Sequence, residues 1–118
     1  MKKGKLLFTI LFTVLIAVSL NSCKKCKKED PQAKIINNGT QKASVQIKTS
    51  GGNTVNINNI DAGTSSVYTA FAPGITTFTI TVSSNDYVQT VDMAQCYYYD
   101  IAIDANNTIT TTPIDRNK

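Results

Sequence analysis

The sequence predicts an all-β protein, a small antiparallel β-sandwich of about seven to eight strands. From residue 31 onward the chain contains no leucine and no glutamate, two strong helix formers. The same stretch holds eleven isoleucines, six valines and fourteen threonines, whose branched Cβ atoms pack well on pleated surfaces. Apolar and polar residues alternate in short runs at a spacing of roughly ten residues, which is typical of sandwiches and small barrels.

The strands are predicted from this alternation, one after another along the chain. Ile35-Ile36 begins the body, and seven further runs follow at residues 43–48, 55–58, 66–71, 77–82, 87–93, 97–104 and 108–112. Turn signals separate them, because glycine supplies positive φ and Asn, Asp and Pro favour turns. These signals are Asn38-Gly39, Ser50-Gly51-Gly52-Asn53, Asp61-Ala62-Gly63, Pro73-Gly74, Ser83-Ser84-Asn85-Asp86 and Asn106-Asn107. Pro113 is expected to end the last ladder.

One run bears on the topology. Met93 precedes Tyr99 by six residues, and Ile101 and Ile103 continue an alternating strand. This arrangement resembles strand F of immunoglobulin-like and fibronectin-like sandwiches. The resemblance implies that Tyr99 is a tyrosine corner, with its hydroxyl bonded to the backbone upstream. A tyrosine that is merely half-buried on an ordinary strand is the alternative.

Residues 1–22 are predicted to form a secretory signal peptide, with a signal helix at the N-terminus. Lysines at positions 2, 3 and 5 precede an apolar run over residues 6–20. As a helix that run spans about 22 Å, which is shorter than the roughly 30 Å hydrocarbon core of a bilayer. A charged start, a short apolar stretch and small residues after it are typical of a secretory signal. An uncleaved anchor helix is the alternative.

The end of the signal determines its type. Leu20-Asn21-Ser22-Cys23 resembles the lipobox of bacterial lipoproteins, although Asn21 stands where the family usually has Ala, Ser or Thr. The resemblance implies that Cys23 receives a diacylglycerol by a thioether, becomes the N-terminus and is then acylated. Such a lipid would anchor the protein stably, since each buried methylene contributes about 0.8 kcal/mol. An ordinary signal followed by a chance cysteine is the alternative.

Residues 23–32 are expected to form a charged, solvated tether ahead of a β-sandwich domain at 33–114 and a tail at 115–118. The tether carries four lysines, then Glu29 and Asp30, and is similar to the surface-export signal of Bacteroidetes lipoproteins. The body, with Gly63-Thr64-Ser65-Ser66-Val67-Tyr68 and then Pro73-Gly74, resembles small Bacteroidetes β-sandwich lipoproteins of unknown function. These resemblances imply a cell-envelope location on the outer membrane, facing either the periplasm or the cell surface.

Charge argues against a nucleic-acid partner. The whole chain has a formal net charge of +4, but residues 31–118 contain only five basic residues against six acidic ones. A nucleic-acid-binding domain needs a basic face. The basicity therefore belongs to the signal and the tether.

Little in the sequence supports catalysis. The chain has no histidine, so it can form neither a Ser-His-Asp nor a Cys-His arrangement, nor a histidine metal site. Asp100 and Asp104 lie about 13 Å apart along one strand, beyond the spacing of a glycosidase pair, although Asp92 could approach either of them across strands. The Asp104–Thr108 run lacks the glycine and the closing glutamate of a calcium loop. We expect no enzyme, no cofactor and no metal.

Two features remain as candidate sites. Cys26 and Cys96 either form a disulfide in an oxidising compartment or stay unbridged. Tyr98 alternates out of phase with Tyr97 and Tyr99, so it either contacts a protein or glycan or packs against a neighbouring strand. The sequence therefore predicts a lipid-anchored, non-enzymatic β-sandwich module for binding or structure. The alternative is an envelope inhibitor of a hydrolase such as lysozyme, although the Ser-Gly-x-x-Tyr loop of those inhibitors is missing.

Overall fold

A computed structural model describes residues 26–117 and confirms the predicted all-β class. Eight strands form two four-stranded sheets. The predicted signal peptide (1–22) and Cys23 lie outside the described residues. The strands are β1 (Gln32–Asn38), β2 (Ala43–Lys48), β3 (Thr54–Ile60), β4 (Thr69–Ala70), β5 (Gly74–Val82), β6 (Asn85–Met93), β7 (Tyr97–Asp104) and β8 (Ile109–Asp115).

The two sheets have the orders β4-β1-β7-β8 and β3-β2-β5-β6, called sheet A and sheet B below. Pairing is antiparallel except between β1 and β7, which run parallel from Gln32 opposite Tyr98 to Asn38 opposite Asp104. In a constant-type immunoglobulin domain the first, second, fifth and fourth strands share a sheet. Here the first strand lies between the fourth and the seventh. The two-layer β-sandwich therefore agrees with the prediction, while its strand order differs from that of a constant-type immunoglobulin domain.

The core lies between the inner faces of the two sheets. Sheet B contributes Phe78 and Ile80, and sheet A contributes Ile35, Ile101 and Ile103, all of them at most 1% exposed. These residues occupy alternate positions on their strands, because successive side chains of a strand point to opposite faces. Full burial of each such side chain contributes roughly 1.5–3 kcal/mol.

Tyr99 forms the tyrosine corner that the sequence predicts. Its hydroxyl accepts a hydrogen bond of 2.8 Å from the backbone N–H of Ala94, five residues upstream. The ring is 5% exposed and stacks on Tyr97 with centroids 6.0 Å apart. The corner fixes the turn between β6 and β7, where Cys96 lies.

The segment before β4 and the turn between β5 and β6 each have a local geometry of their own. The predicted strand at 66–71 is reduced to the two residues of β4, because Ser66 contacts β1 through its side chain as well as its backbone. Its hydroxyl accepts from the Ile35 N–H, and its own N–H donates to the Ile35 carbonyl, both at 2.9 Å. Between β5 and β6, Ser83 and Ser84 both have positive φ, 51° and 66°, as a two-residue type I′ turn requires.

One buried polar residue closes the end of sheet A away from the Cys96 turn. Asn37 is 1% exposed, and its side-chain amide donates to the carbonyls of Gln41 and Ile60 at 2.7 and 2.9 Å. Its side-chain oxygen accepts from the Gly39 N–H at 3.0 Å. Both N–H groups of the side-chain amide and its oxygen are hydrogen-bonded, so Asn37 is a structural residue that joins the β1–β2 connection to the end of β3. Nowhere between residues 26 and 117 does the chain form a helix long and apolar enough to cross a bilayer.

Candidate functional site

A disulfide joins Cys26 to Cys96, with the two Cα atoms 5.6 Å apart. Of the two alternatives that the sequence left open, the structure therefore has the bridged one. Cys96 is 7% exposed and holds a left-handed φ of 65° in the turn between β6 and β7. Its carbonyl accepts from the Arg116 N–H at 2.9 Å, which brings the C-terminal end of β8 to the same place.

The segment behind Cys26 is held on the sandwich. The Cys96 N–H donates to the Glu29 carbonyl, and the Phe71 N–H donates to the Pro31 carbonyl, both at 2.9 Å. Pro31 is among the fully buried side chains. The second half of the expected tether over residues 23–32 is therefore attached to the domain by the disulfide and by the Glu29 and Pro31 carbonyls, although residues 27–30 are exposed as a solvated segment would be. Gln32 already belongs to β1.

The disulfide changes how far the sandwich can stand from Cys23. A free tether of nine residues would reach about 30 Å when extended. Cys26 follows Cys23 by only three residues in the sequence, which corresponds to about 10 Å of extended chain. The disulfide therefore shortens the free chain between Cys23 and the domain from nine residues to three.

Tyr98 belongs to a cluster on the outer face of sheet A, which we call the tyrosine surface and define as Lys34, Tyr68, Tyr98, Asp100 and Arg116. The rings of Tyr68 and Tyr98 meet with centroids 4.8 Å apart and planes tilted by 44°. The Lys34 ammonium lies 4.9 Å from the Tyr68 centroid, and the Arg116 guanidinium lies 4.6 Å from that of Tyr98. Tyr98 is half-buried and packs on Tyr68 and Arg116, which is the packing role that the sequence left open, whereas its contact with a protein or glycan stays a prediction.

Sequence reasoning missed three members of this surface, Tyr68, Lys34 and Arg116, and Tyr68 makes the most contacts among them. Its hydroxyl donates to the Asp100 carboxylate at 2.5 Å, across 32 residues of chain. Burial, and then the hydrogen bond to Asp100, raise the pKa of Tyr68 to about 12. No local pattern marks Tyr68, because it precedes a strand of two residues and meets Tyr98 only through the sheet order.

The three aspartates considered for catalysis do not converge. Asp100 lies on the outer face of sheet A, whereas Asp92 is exposed on the outer face of sheet B. Asp104 is exposed at the start of the turn between β7 and β8, where its carboxylate accepts from the N–H groups of Asn106 and Thr108 at 2.9 and 3.0 Å. The Asn-rich run is therefore a capped turn, and no three His, Cys, Asp or Glu side chains gather into a metal-binding group within residues 26–117.

A shallow polar cleft of about 90 Å³ lies at the end of the sandwich opposite to Cys96. It is bordered by the connections β1–β2, β5–β6 and β7–β8, among them Thr40, Ser83 and Asn107. The Asn107 amide donates to the Tyr87 hydroxyl at 3.1 Å across it. Pockets for small ligands usually measure 300–1,000 Å³, so this cleft can hold no more than a side chain or a few waters.

Comparison with known proteins does not assign the chain to a family. No protein-family model matches the chain, and no curated protein is significantly similar to it in sequence.

Proposed function

We propose that the protein is a membrane-anchored lipoprotein of the cell envelope, attached through Cys23, whose β-sandwich serves as a non-enzymatic module for binding or structure. The observation that carries this proposal is the Cys26–Cys96 disulfide. Disulfides persist in oxidising compartments such as the bacterial periplasm and are rare in the cytosol. A bridge three residues behind a lipobox cysteine fits a chain that is exported, lipidated and then folded outside the cytoplasm.

The disulfide also determines which end of the module lies near the anchor. Cys26 lies within about 10 Å of Cys23, and its Cα atom is 5.6 Å from that of Cys96, so the Cys96 turn stays within about 16 Å of the anchor. Strand β7 has eight residues and carries the opposite end about 23 Å further out. The cleft and the connections around it therefore lie at the end of the sandwich farther from the anchor, and the tyrosine surface begins beside the anchored end.

The tyrosine surface supports a binding role. Tyrosine and arginine are enriched at the cores of protein interfaces, where each combines apolar area with hydrogen-bonding capacity. Tyr98, Tyr68 and Arg116 are already packed on one another, so little side-chain freedom would be lost when a partner binds. We propose a protein or a glycan as the partner of this surface.

Metabolic labelling with palmitate tests the anchor. Wild-type protein and a Cys96→Ala variant should both incorporate the label, whereas Cys23→Ala should not. Cys96→Ala is the matched control, because it removes a cysteine without touching the lipobox. Equal labelling of Cys23→Ala and wild type would contradict lipid attachment at Cys23.

Two further assays test the non-enzymatic part of the proposal. The purified protein should not inhibit lysozymes, since the Tyr68 hydroxyl of the Ser65-Ser66-Val67-Tyr68 run is bound to Asp100 and cannot enter another active site without breaking that bond. Inhibition at micromolar concentration would favour the hydrolase-inhibitor alternative. A hydrolytic activity of the protein that is lost on replacing Asp92 or Asp104 would overturn the proposal.

A further inference from the structure

The two sheets have four edge strands, and three of them carry features that prevent further pairing. Strand β4 is only two residues long. Strand β8 contains Pro113, which has no N–H to donate. Contrary to the sequence prediction, Pro113 does not end the ladder, since β8 is an edge strand and stays paired with β7 as far as Asp115. Strand β3 has a register shift near Asn59, which holds a positive φ of 61° and donates to the Ser44 hydroxyl. Short edges, prolines and bulges are the usual means by which proteins block sheet extension.

Strand β6 lacks these features. It pairs with β5 over nine consecutive residue pairs, from Gly74 opposite Met93 to Val82 opposite Asn85, without a register shift. It contains no proline and no lysine. Its contact with the other sheet is made by side chains, with the Gln89 amide donating to the Thr111 hydroxyl at 3.3 Å.

The register determines which backbone groups of β6 face outward. A two-residue turn makes the flanking pair Val82–Asn85 a hydrogen-bonded pair, and the two kinds of pair then alternate along the ladder. The N–H and C=O groups of Asp86, Val88, Thr90 and Asp92 therefore point away from β5. The same four side chains lie on the outer face of sheet B, and Val88 is 60% exposed. Together they form what we call the β6 edge.

The charges on the β6 edge disfavour a second copy of the chain as its partner. In an antiparallel pair of two β6 strands centred on Gln89, Asp86 of each copy would face Asp92 of the other. Like charges directly opposite each other destabilise a strand pair. A strand with cations at the corresponding positions would instead gain two opposite-charge pairs.

We propose that the β6 edge binds an extended basic peptide segment by antiparallel strand addition, which extends sheet B to five strands. This inference names a partner class for the binding module proposed above. The fitting segment has Lys or Arg six residues apart, opposite Asp92 and Asp86, with Thr and a β-branched apolar residue between them, opposite Thr90 and Val88. Main-chain hydrogen bonds provide the affinity in this mode, and alternate side chains provide the selectivity.

Amide hydrogen exchange on the purified full-length protein in detergent micelles tests the proposal. The probe is the blocked heptapeptide Lys-Ser-Thr-Ser-Val-Ser-Lys, and the control peptide has Glu at both ends. Without peptide, the amides of Val88 and Thr90 should exchange fast and those of Gln89 and Val91 slowly. The lysine peptide should slow exchange at Val88 and Thr90, and the glutamate peptide should not.

Variants of β6 distinguish the contribution of backbone hydrogen bonds to peptide binding from that of the two aspartates. Thr90→Pro removes an outward N–H and no bond to β5, so it should weaken peptide binding at least tenfold, whereas Thr90→Val should leave it nearly unchanged. Asp86→Asn with Asp92→Asn should weaken binding about fivefold at low salt, which corresponds to roughly 0.5 kcal/mol for each exposed charge pair. Asp61→Asn is the matched control for charge, because Asp61 lies outside β6.

Several results would overturn the proposal. These are no protection of Val88 and Thr90 at millimolar peptide, equal binding of the lysine and glutamate peptides, or unchanged binding to the variant with both Asp86 and Asp92 replaced. Dimerisation of the free protein that Thr90→Pro abolishes would make a second copy the occupant instead. The assay does not depend on lipid attachment, so its failure is distinct from a failure of palmitate labelling at Cys23.

Discussion

Removal of the Cys26–Cys96 disulfide should destabilise the domain strongly. The perturbation is the double substitution Cys26→Ala and Cys96→Ala, which leaves Cys23, the proposed site of lipid attachment, in place. The bridge closes a loop over a sequence separation of 70 residues. In the chain-entropy treatment of cross-links, a loop of this length stabilises the folded state by about 4 kcal/mol.

The loss should be visible in both thermal and chemical unfolding. One kcal/mol shifts the melting temperature of a domain of this size by roughly 4–8 °C, so the expected decrease is roughly 15–30 °C. With a urea m-value of about 1–2 kcal/mol/M, the unfolding midpoint should fall by roughly 2–4 M. Wild-type protein treated with a reductant should match the double variant.

Limited trypsin digestion provides a local measurement of the same change. Lys27 and Lys28 lie within the segment that the disulfide and the Cys96–Glu29 hydrogen bond hold on the domain. Cleavage there should become much faster in the double variant under native conditions, while cleavage at Lys48 within β2 stays slow. A urea midpoint within 0.5 M of wild type, about a quarter of the smallest shift expected, would refute the account of the bridge, as would unchanged cleavage at Lys27 and Lys28.

Three further predictions concern single side chains. Tyr68→Phe removes the hydrogen bond to Asp100 and should lower the free energy of unfolding by about 1 kcal/mol in urea. Because folding raises the pKa of Tyr68 from 10.0 to about 12, the wild-type protein should lose this stabilisation between pH 10 and 12. The same loss in the Tyr68→Phe variant would contradict this assignment. Ser84→Gly should raise the melting temperature by a few degrees, since Ser84 holds a φ of 66° at a cost of about 1 kcal/mol; a lower melting temperature would contradict a strained turn. Asn37→Ala should cost about 2–3 kcal/mol by urea unfolding because it leaves the Ile60 carbonyl buried without its donor, and a cost below about 0.5 kcal/mol would show that this bond is dispensable.

The fold class and most strand positions could be predicted because alternation reports which residues face the core. Phe78 and Ile80, or Ile101 and Ile103, are buried at the positions that the period of two requires. The partner of each strand could not be predicted in this way. The parallel pairing of β1 with β7 depends on contacts across some 65 residues of chain, and β1 would show the same alternation beside any other strand.

The sequence identified Cys26, Cys96 and Tyr98 as candidate site residues, but it did not predict which residues they contact. The cysteine count indicated that Cys26 and Cys96 were available, but bridging requires their Cα atoms within a few ångströms, which only the folded chain provides. Tyr98 was identified from its phase in the strand. Its contact with Tyr68 arises because β4 and β7 both lie next to β1, a property of the sheet order that no local pattern encodes.

Intact-mass analysis of the mature protein purified from membranes tests lipid attachment at Cys23 and the Cys26–Cys96 bridge in one measurement. The mature chain should begin at Cys23, carry diacylglycerol and further acyl groups on that residue, and gain the mass of two hydrogens when the Cys26–Cys96 bridge is reduced. A chain that begins at Met1, or an unmodified Cys23, would contradict the anchor. A lipidated chain whose mass is unchanged by reduction would contradict the bridge that holds the sandwich beside that anchor.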